Sequence, residues 1–139
     1  MTISYILLDH TADLGIRVTA RTEEGLYTNA VLALADLLSG PLSRSGARPL
    51  SLAASGEDRS EMLINLLREQ LYLFTGEKLL VAGVEGLALS PGSLEARVLA
   101  VPYNPEVHEI RHWIKAVTWH QAEAEQRGGV WEARVIFDV

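Results

Sequence analysis

Two stretches of this chain repeat their apolar residues at spacings of three and four, and both lie among stretches that alternate. Few folds accommodate that order. Thr22 reads as an N-cap, with Glu23 and Glu24 in the first turn, where the helix dipole favours negative charge. Leu26, Ala30, Ala33, Leu34 and Leu37 then form an apolar stripe, widened by Tyr27, Val31 and Leu38. Ser39-Gly40-Pro41 stops this helix. Asp58 and Glu61 have capping-box spacing before a second stripe of Met62, Leu63, Leu66, Leu67, Leu71 and Phe74, which Gly76 is expected to close.

The remaining segments read as strands. Tyr5 to Leu8 is a short apolar one. In Leu14 to Ala20, Leu14, Ile16, Val18 and Ala20 face one way, and Asp13, Gly15, Arg17 and Thr19 face the other. Brief strand character returns at Leu50 to Ala54. Leu79 to Leu89 and Ser93 to Val101 flank a turn at Ser90-Pro91-Gly92. Trp113 to Glu123 reads as one strand, or as two broken near His120. Gln126-Arg127-Gly128-Gly129 reads as a hairpin turn, with Gly-Gly supplying the positive φ, before the last strand, whose Trp131, Ala133, Val135 and Phe137 share a face. The expectation is an α+β fold, a single domain over residues 1–139, mainly antiparallel sheet with two amphipathic helices packed on it.

Composition narrows the partners. A net charge of -6, without a lysine- or arginine-rich run, disfavours unaided nucleic-acid binding, because phosphate contacts supply most of that affinity. A basic partner or a divalent cation suits such a chain better. Having no cysteine, the chain has neither disulfides nor thiolate metal sites, which is compatible with a cytoplasmic home. No membrane association is expected, since no apolar run reaches the roughly 18 to 20 residues of a span. No signal peptide is expected either, because the first residues lack a basic segment and a long apolar one.

Two groups could carry chemistry. Asp9-His10-Thr11-Ala12-Asp13 concentrates carboxylates, an imidazole and a hydroxyl between two apolar runs, and Asp138 stands near the other end of the chain. If the strands that carry them are neighbours, Asp13 and Asp138 suit a hard cation, which takes oxygen ligands. The same acids also suit turn caps through Asx-type hydrogen bonds. Lys115 and His120 flank Val117-Thr118-Trp119 in the second group, where a lysine between tryptophans can equally lay its stem on apolar surface. His108 and His112 lack zinc-site spacing, and no phosphate-binding loop, dinucleotide fingerprint or nucleophile elbow is present.

Through His10-Thr11-Ala12-Asp13-Leu14-Gly15-Ile16, the Asn29-Ala30 step, Lys115 to His120 and Val135 to Val139, the chain resembles the archease family along its whole length. Trp119 stands where the family more often has tyrosine, and the loop from Pro102 to Arg111 matches only loosely. The resemblance implies a cytoplasmic accessory protein, not an enzyme, that activates an RtcB-type RNA ligase in tRNA splicing, tRNA processing and RNA repair. Its implied role is to promote ligase guanylylation and multiple turnover. It further implies a divalent cation, calcium with magnesium or manganese as alternatives, held by Asp13, Asp138 and the backbone carbonyl of Val139. His10, Asp9, Lys115 and His120 are then candidates for a supporting hydrogen bond or a partner contact. Two other readings are a metal-dependent phosphoester hydrolase, with His10 or His120 as acid or base, and a chaperone-like protein-binding module.

Overall fold

The computed structural model describes residues 5–8 and 13–139. In chain order the elements are β1 (Tyr5–Leu8), β2 (Leu14–Ala20), α1 (Glu23–Leu38), β3 (Arg48–Ser55), α2 (Arg59–Glu77), β4 (Leu79–Ser90), β5 (Ser93–Pro102), β6 (Ala116–Arg127) and β7 (Val130–Asp138). The α+β class, the antiparallel pairing and the two packed helices match the expectation. The strands divide into two sheets, however: four strands in the order β1-β2-β7-β6, and three in the order β3-β5-β4.

Both helices touch both sheets. α1 packs on β2, β7 and β4, and α2 packs on β6, β3 and β4. That placement explains why α1 is buried well beyond one stripe, with Leu32 and Ala35 covered as well as Leu26, Ala30, Ala33 and Leu34. Contacts on two sides require a wide apolar surface, and burial of each Leu or Phe side chain contributes roughly 1.5 to 3 kcal/mol. The core runs without interruption from Ile16 and Phe137 on the larger sheet, through the helices, to Leu80 and Val98 on the smaller one.

The local signals act largely as read. The Thr22 side chain accepts from the Gly25 N–H at 3.0 Å, and Asp58 accepts from Glu61 at 2.8 Å. Gly128 and Gly129 take φ of 58° and 83° and form the two-residue loop between the paired Arg127 and Val130.

Three expectations are corrected. Gly76 does not close α2: the helix runs to Glu77 and ends at Lys78, itself left-handed at φ 57°. A helical glycine costs only about 1 kcal/mol relative to alanine, which tertiary packing overrides. β3 extends beyond Leu50 to Ala54, because β5 offers it an unbroken ladder from Ala100 to Ser93. β6 begins at Ala116, not Trp113, and continues past Glu123 to Arg127 along β7. The looser pattern of β4 also has a cause, in register shifts between Val81 and Gly83 and between Val84 and Gly86.

Candidate functional site

The larger sheet sets the site. β7 lies between β2 and β6, so the end of β7 meets the start of β2 on one side and the start of β6 on the other. Leu14 pairs with Phe137 at the end of this antiparallel register, and Asp13 precedes the one as Asp138 follows the other. Phe137 is fully buried and fixes that register, because a one-residue slip would drive its ring out of the core. Asp138 itself is exposed. The two acids, remote in sequence, are therefore brought together by two adjacent strands.

On the other flank, Ala116 pairs with Asp138, and the Lys115 backbone N–H donates to the Asp138 carbonyl at 2.7 Å. The Lys115 side chain is exposed, between the buried Ile114 and the half-buried Ala116. Val117 reaches the core opposite Phe137, and Thr118 lies opposite Ile136 on the outer face. The Thr118 Oγ1 is buried and has no hydrogen-bond partner among the described residues.

Beyond Thr118 the ladder breaks. Thr118 pairs with Ile136 and Glu123 with Arg134, so residues 119–122 oppose the single residue Val135. Gln121 adopts φ 55° within this bulge. The break expected near His120 is thus real, but it lies inside one strand, where it interrupts the alternation between Thr118 and Glu123. Such a bulge re-aims side chains at the sheet edge. Trp119 and His120 are both exposed there.

Arg68 of α2 anchors the bulge. Its Nε and Nη2 donate to the Val117 carbonyl at 3.1 and 3.0 Å, and its guanidinium lies 5.0 Å from the Trp119 ring centroid. No motif marks this arginine; its exposed position on α2 reads as an ordinary solvated charge. His108 has a structural task, its Nδ1 accepting from the Asn104 N–H at 3.0 Å while its ring stacks on Tyr103.

Asp9 and His10 lie outside the described residues. Among the described residues, no three His, Asp or Glu side chains form a group that could hold a metal. A cation at the end of β7 would rely on the two carboxylates of Asp13 and Asp138, supplemented by backbone oxygen such as that of Val139. That donor chemistry fits a hard cation, whose ligands are carboxylate, carbonyl and water oxygens, and does not fit zinc, which favours imidazole and thiolate. Among the described residues, no helix is long and apolar enough to cross a membrane.

Comparisons with known proteins agree along the whole chain. The archease protein family (MTH1598/TM1083) matches residues 5–139. A protein archease from Methanosarcina mazei is 32% identical, with 97% of this chain and 95% of that protein covered. One from Thermoplasma acidophilum is 31% identical, with 99% and 95% covered. Among solved structures, protein 1598 of Methanobacterium thermoautotrophicum superposes with a TM-score of 0.74 at 25% identity, covering 99% of this chain and 100% of that one. A Thermotoga maritima protein described as an archease and possible chaperone shares the fold, with a TM-score of 0.60 at 18% identity over 95% of this chain and 94% of that one.

Proposed function

The chain belongs to the archease protein family, and from that premise we propose that it is an accessory protein of an RtcB-type RNA ligase, acting in the cytoplasm in tRNA splicing and RNA repair. In this reading the end of β7 is the working part. Asp13 and Asp138 hold a divalent cation, calcium in the first instance, with the Val139 carbonyl as a further donor. The bound cation supplies positive charge that offsets the repulsion between two neighbouring carboxylates.

The observation that carries the reading is the pairing of Leu14 with Phe137, which brings two acids from opposite ends of the chain to one place. The ladder bond from Lys115 engages the Asp138 carbonyl and leaves the carboxylate as that residue's outward oxygen donor. Docked at the mouth of the ligase active site, this acidic tip favours a geometry competent for guanylylation and sustains repeated turnover.

The test is multiple-turnover ligation by the partner ligase with and without this protein. Wild-type protein should sustain turnover. Asp138→Ala should abolish activation while its circular dichroism and melting remain those of a folded protein. A folded Asp138→Ala protein that activates fully would overturn the proposal.

A further inference from the structure

The outer face of the larger sheet carries a second charged feature, opposite in sign to the acidic tip. Arg17 of β2 and Arg134 of β7 are direct cross-strand partners. Their strand neighbours Ile16, Val18, Ala133 and Val135 are all buried on the core face, so both arginines project from the outer face, and each is half-buried. Like charges directly opposite on one face repel, and a sheet that places two arginines so pays for it unless something lies between them.

Among the described residues, no ion pair does so. Among the described residues, ion pairs join Arg59 to Glu23, Arg111 to Asp36 and Arg127 to Glu125, and neither Arg17 nor Arg134 takes part in one. The nearest acids in the register are Glu123, opposite Arg134 on β6, and Glu132, opposite Thr19 in the adjoining row. Glu123 is exposed, and both acids are on the side away from β1 or beyond the arginine row. On the β1 side the partner of Arg17 is Ile6, an exposed apolar residue with 53% of its surface accessible. The approach from β1 is thus free of described acids.

We propose that Arg17 and Arg134 form a binding site for a phosphate group. Two planar guanidiniums set side by side present paired N–H donors to a tetrahedral dianion, which has oxygens enough to accept from both. A carboxylate offers only two oxygens and one charge, and answers half of that donor set. Binding also removes the like-charge repulsion, so occupancy is favoured from both directions. Ile6 beside the pair suits a phosphate that carries an organic group, as a mononucleotide does.

This site is separate from the acidic tip. One row, containing Leu8, Gly15, Ile136 and Thr118, intervenes. Four residues of strand place Arg134 roughly 13 Å from Asp138 along β7, too far for one phosphate to touch both. The two sites load independently, and this proposal does not rest on the metal reading.

The experiment uses the full chain in EDTA, with the arginine Nε–H resonances followed by NMR during titration with inorganic phosphate, adenosine 5′-monophosphate and, as control, adenosine, at constant ionic strength maintained with chloride. Expected is a saturable shift of the Arg17 and Arg134 signals with both phosphates and none with adenosine. Arg17→Gln and Arg134→Gln should each weaken binding at least tenfold, and both should melt no lower than wild type without phosphate, since each relieves the repulsion. Tighter binding of the nucleotide than of phosphate would identify an organic phosphate as the ligand, and equal binding would identify the free anion. A non-saturable shift, or Gln variants that bind as wild type does, would overturn the site.

Discussion

The Lys115 N–H donates to the Asp138 carbonyl at 2.7 Å, so the acid at the end of β7 has its backbone fixed by the residue that leads into β6. With Asp13 reached through the neighbouring Leu14–Phe137 pair, the tip is tethered on both flanks. A site held in this way changes its charge without changing its scaffold, which makes it suitable for conservative substitution.

Calcium at about one hundred times its Kd should stabilise the wild-type protein by roughly 2.7 kcal/mol. Asp138→Asn keeps the size and the backbone bond but removes a charge, so it should abolish this stabilisation while leaving the melting temperature in EDTA near that of wild type. Melting curves with and without calcium decide it, and a variant with an undiminished calcium response would rule out Asp138 as a ligand.

Alkaline pH should expose the link between β1 and α1. The Tyr5 hydroxyl donates to Asp36 Oδ2 at 2.7 Å. Burial, followed by this hydrogen bond and the Asp36 charge, pushes its pKa up to about 12 from 10.0. Because the folded value lies above the unfolded one, the stability contributed by neutral Tyr5 is complete below pH 10 and disappears as pH rises toward 12. Tyr27, buried and bonded to Glu23, is shifted in the same direction. Denaturant titrations across that window should show a smaller alkaline loss for Tyr5→Phe than for wild type; equal losses would remove Tyr5 from the account.

Between the helices, Gln70 is buried, and its Nε2 donates to the Val31 carbonyl at 2.9 Å while its Oε1 has no partner among the described residues. Gln70→Leu loses one bond to a helical carbonyl but also removes an unsatisfied oxygen, so stability should change by less than about 1 kcal/mol. Gln70→Ala leaves a void as well and should cost about 2 kcal/mol. Urea unfolding of the two variants gives the comparison, and a Leu variant as damaged as the Ala variant would show the amide bond to dominate.

For the bulge, Arg68→Met retains much of the side-chain stem while removing both donors to the Val117 carbonyl. A loss of about 1 kcal/mol is expected for this partly exposed charge-assisted contact. Amide exchange should accelerate in residues 117–122 and stay unchanged in β2. Uniform acceleration throughout the sheet would mean that Arg68 supports the fold generally and not the bulge.

Local chemistry was legible in the sequence wherever a neighbour in the chain supplies it. Thr22, Asp58 and the Gly128-Gly129 pair each act within a few residues, and each does what its residue type dictates. Gly76 shows the limit, because packing of α2 carries the helix past a local stop signal. The division into two sheets was hidden, since alternation tells which face is buried but not which strand lies alongside. Arg17 and Arg134 were hidden for the same reason: each is an ordinary polar-face residue until the register sets them opposite one another. The pairing of Leu14 with Phe137, next to Asp13 and Asp138, is likewise a property of strand order. The spacing of the residues could not reveal it.

The central position of β7 has a consequence for how the molecule is made. It follows every other element in the chain, yet it is the strand that joins β2 to β6. During synthesis, the hairpin of β1 and β2 must wait with an open edge until the final strand emerges, and β6 waits with another. Contacts between such distant segments form slowly, after the loop-closure cost has been met, and open edges invite pairing with the wrong chain. The acidic tip comes into being only when β7 is seated, so its presence marks a larger sheet whose strands have closed up.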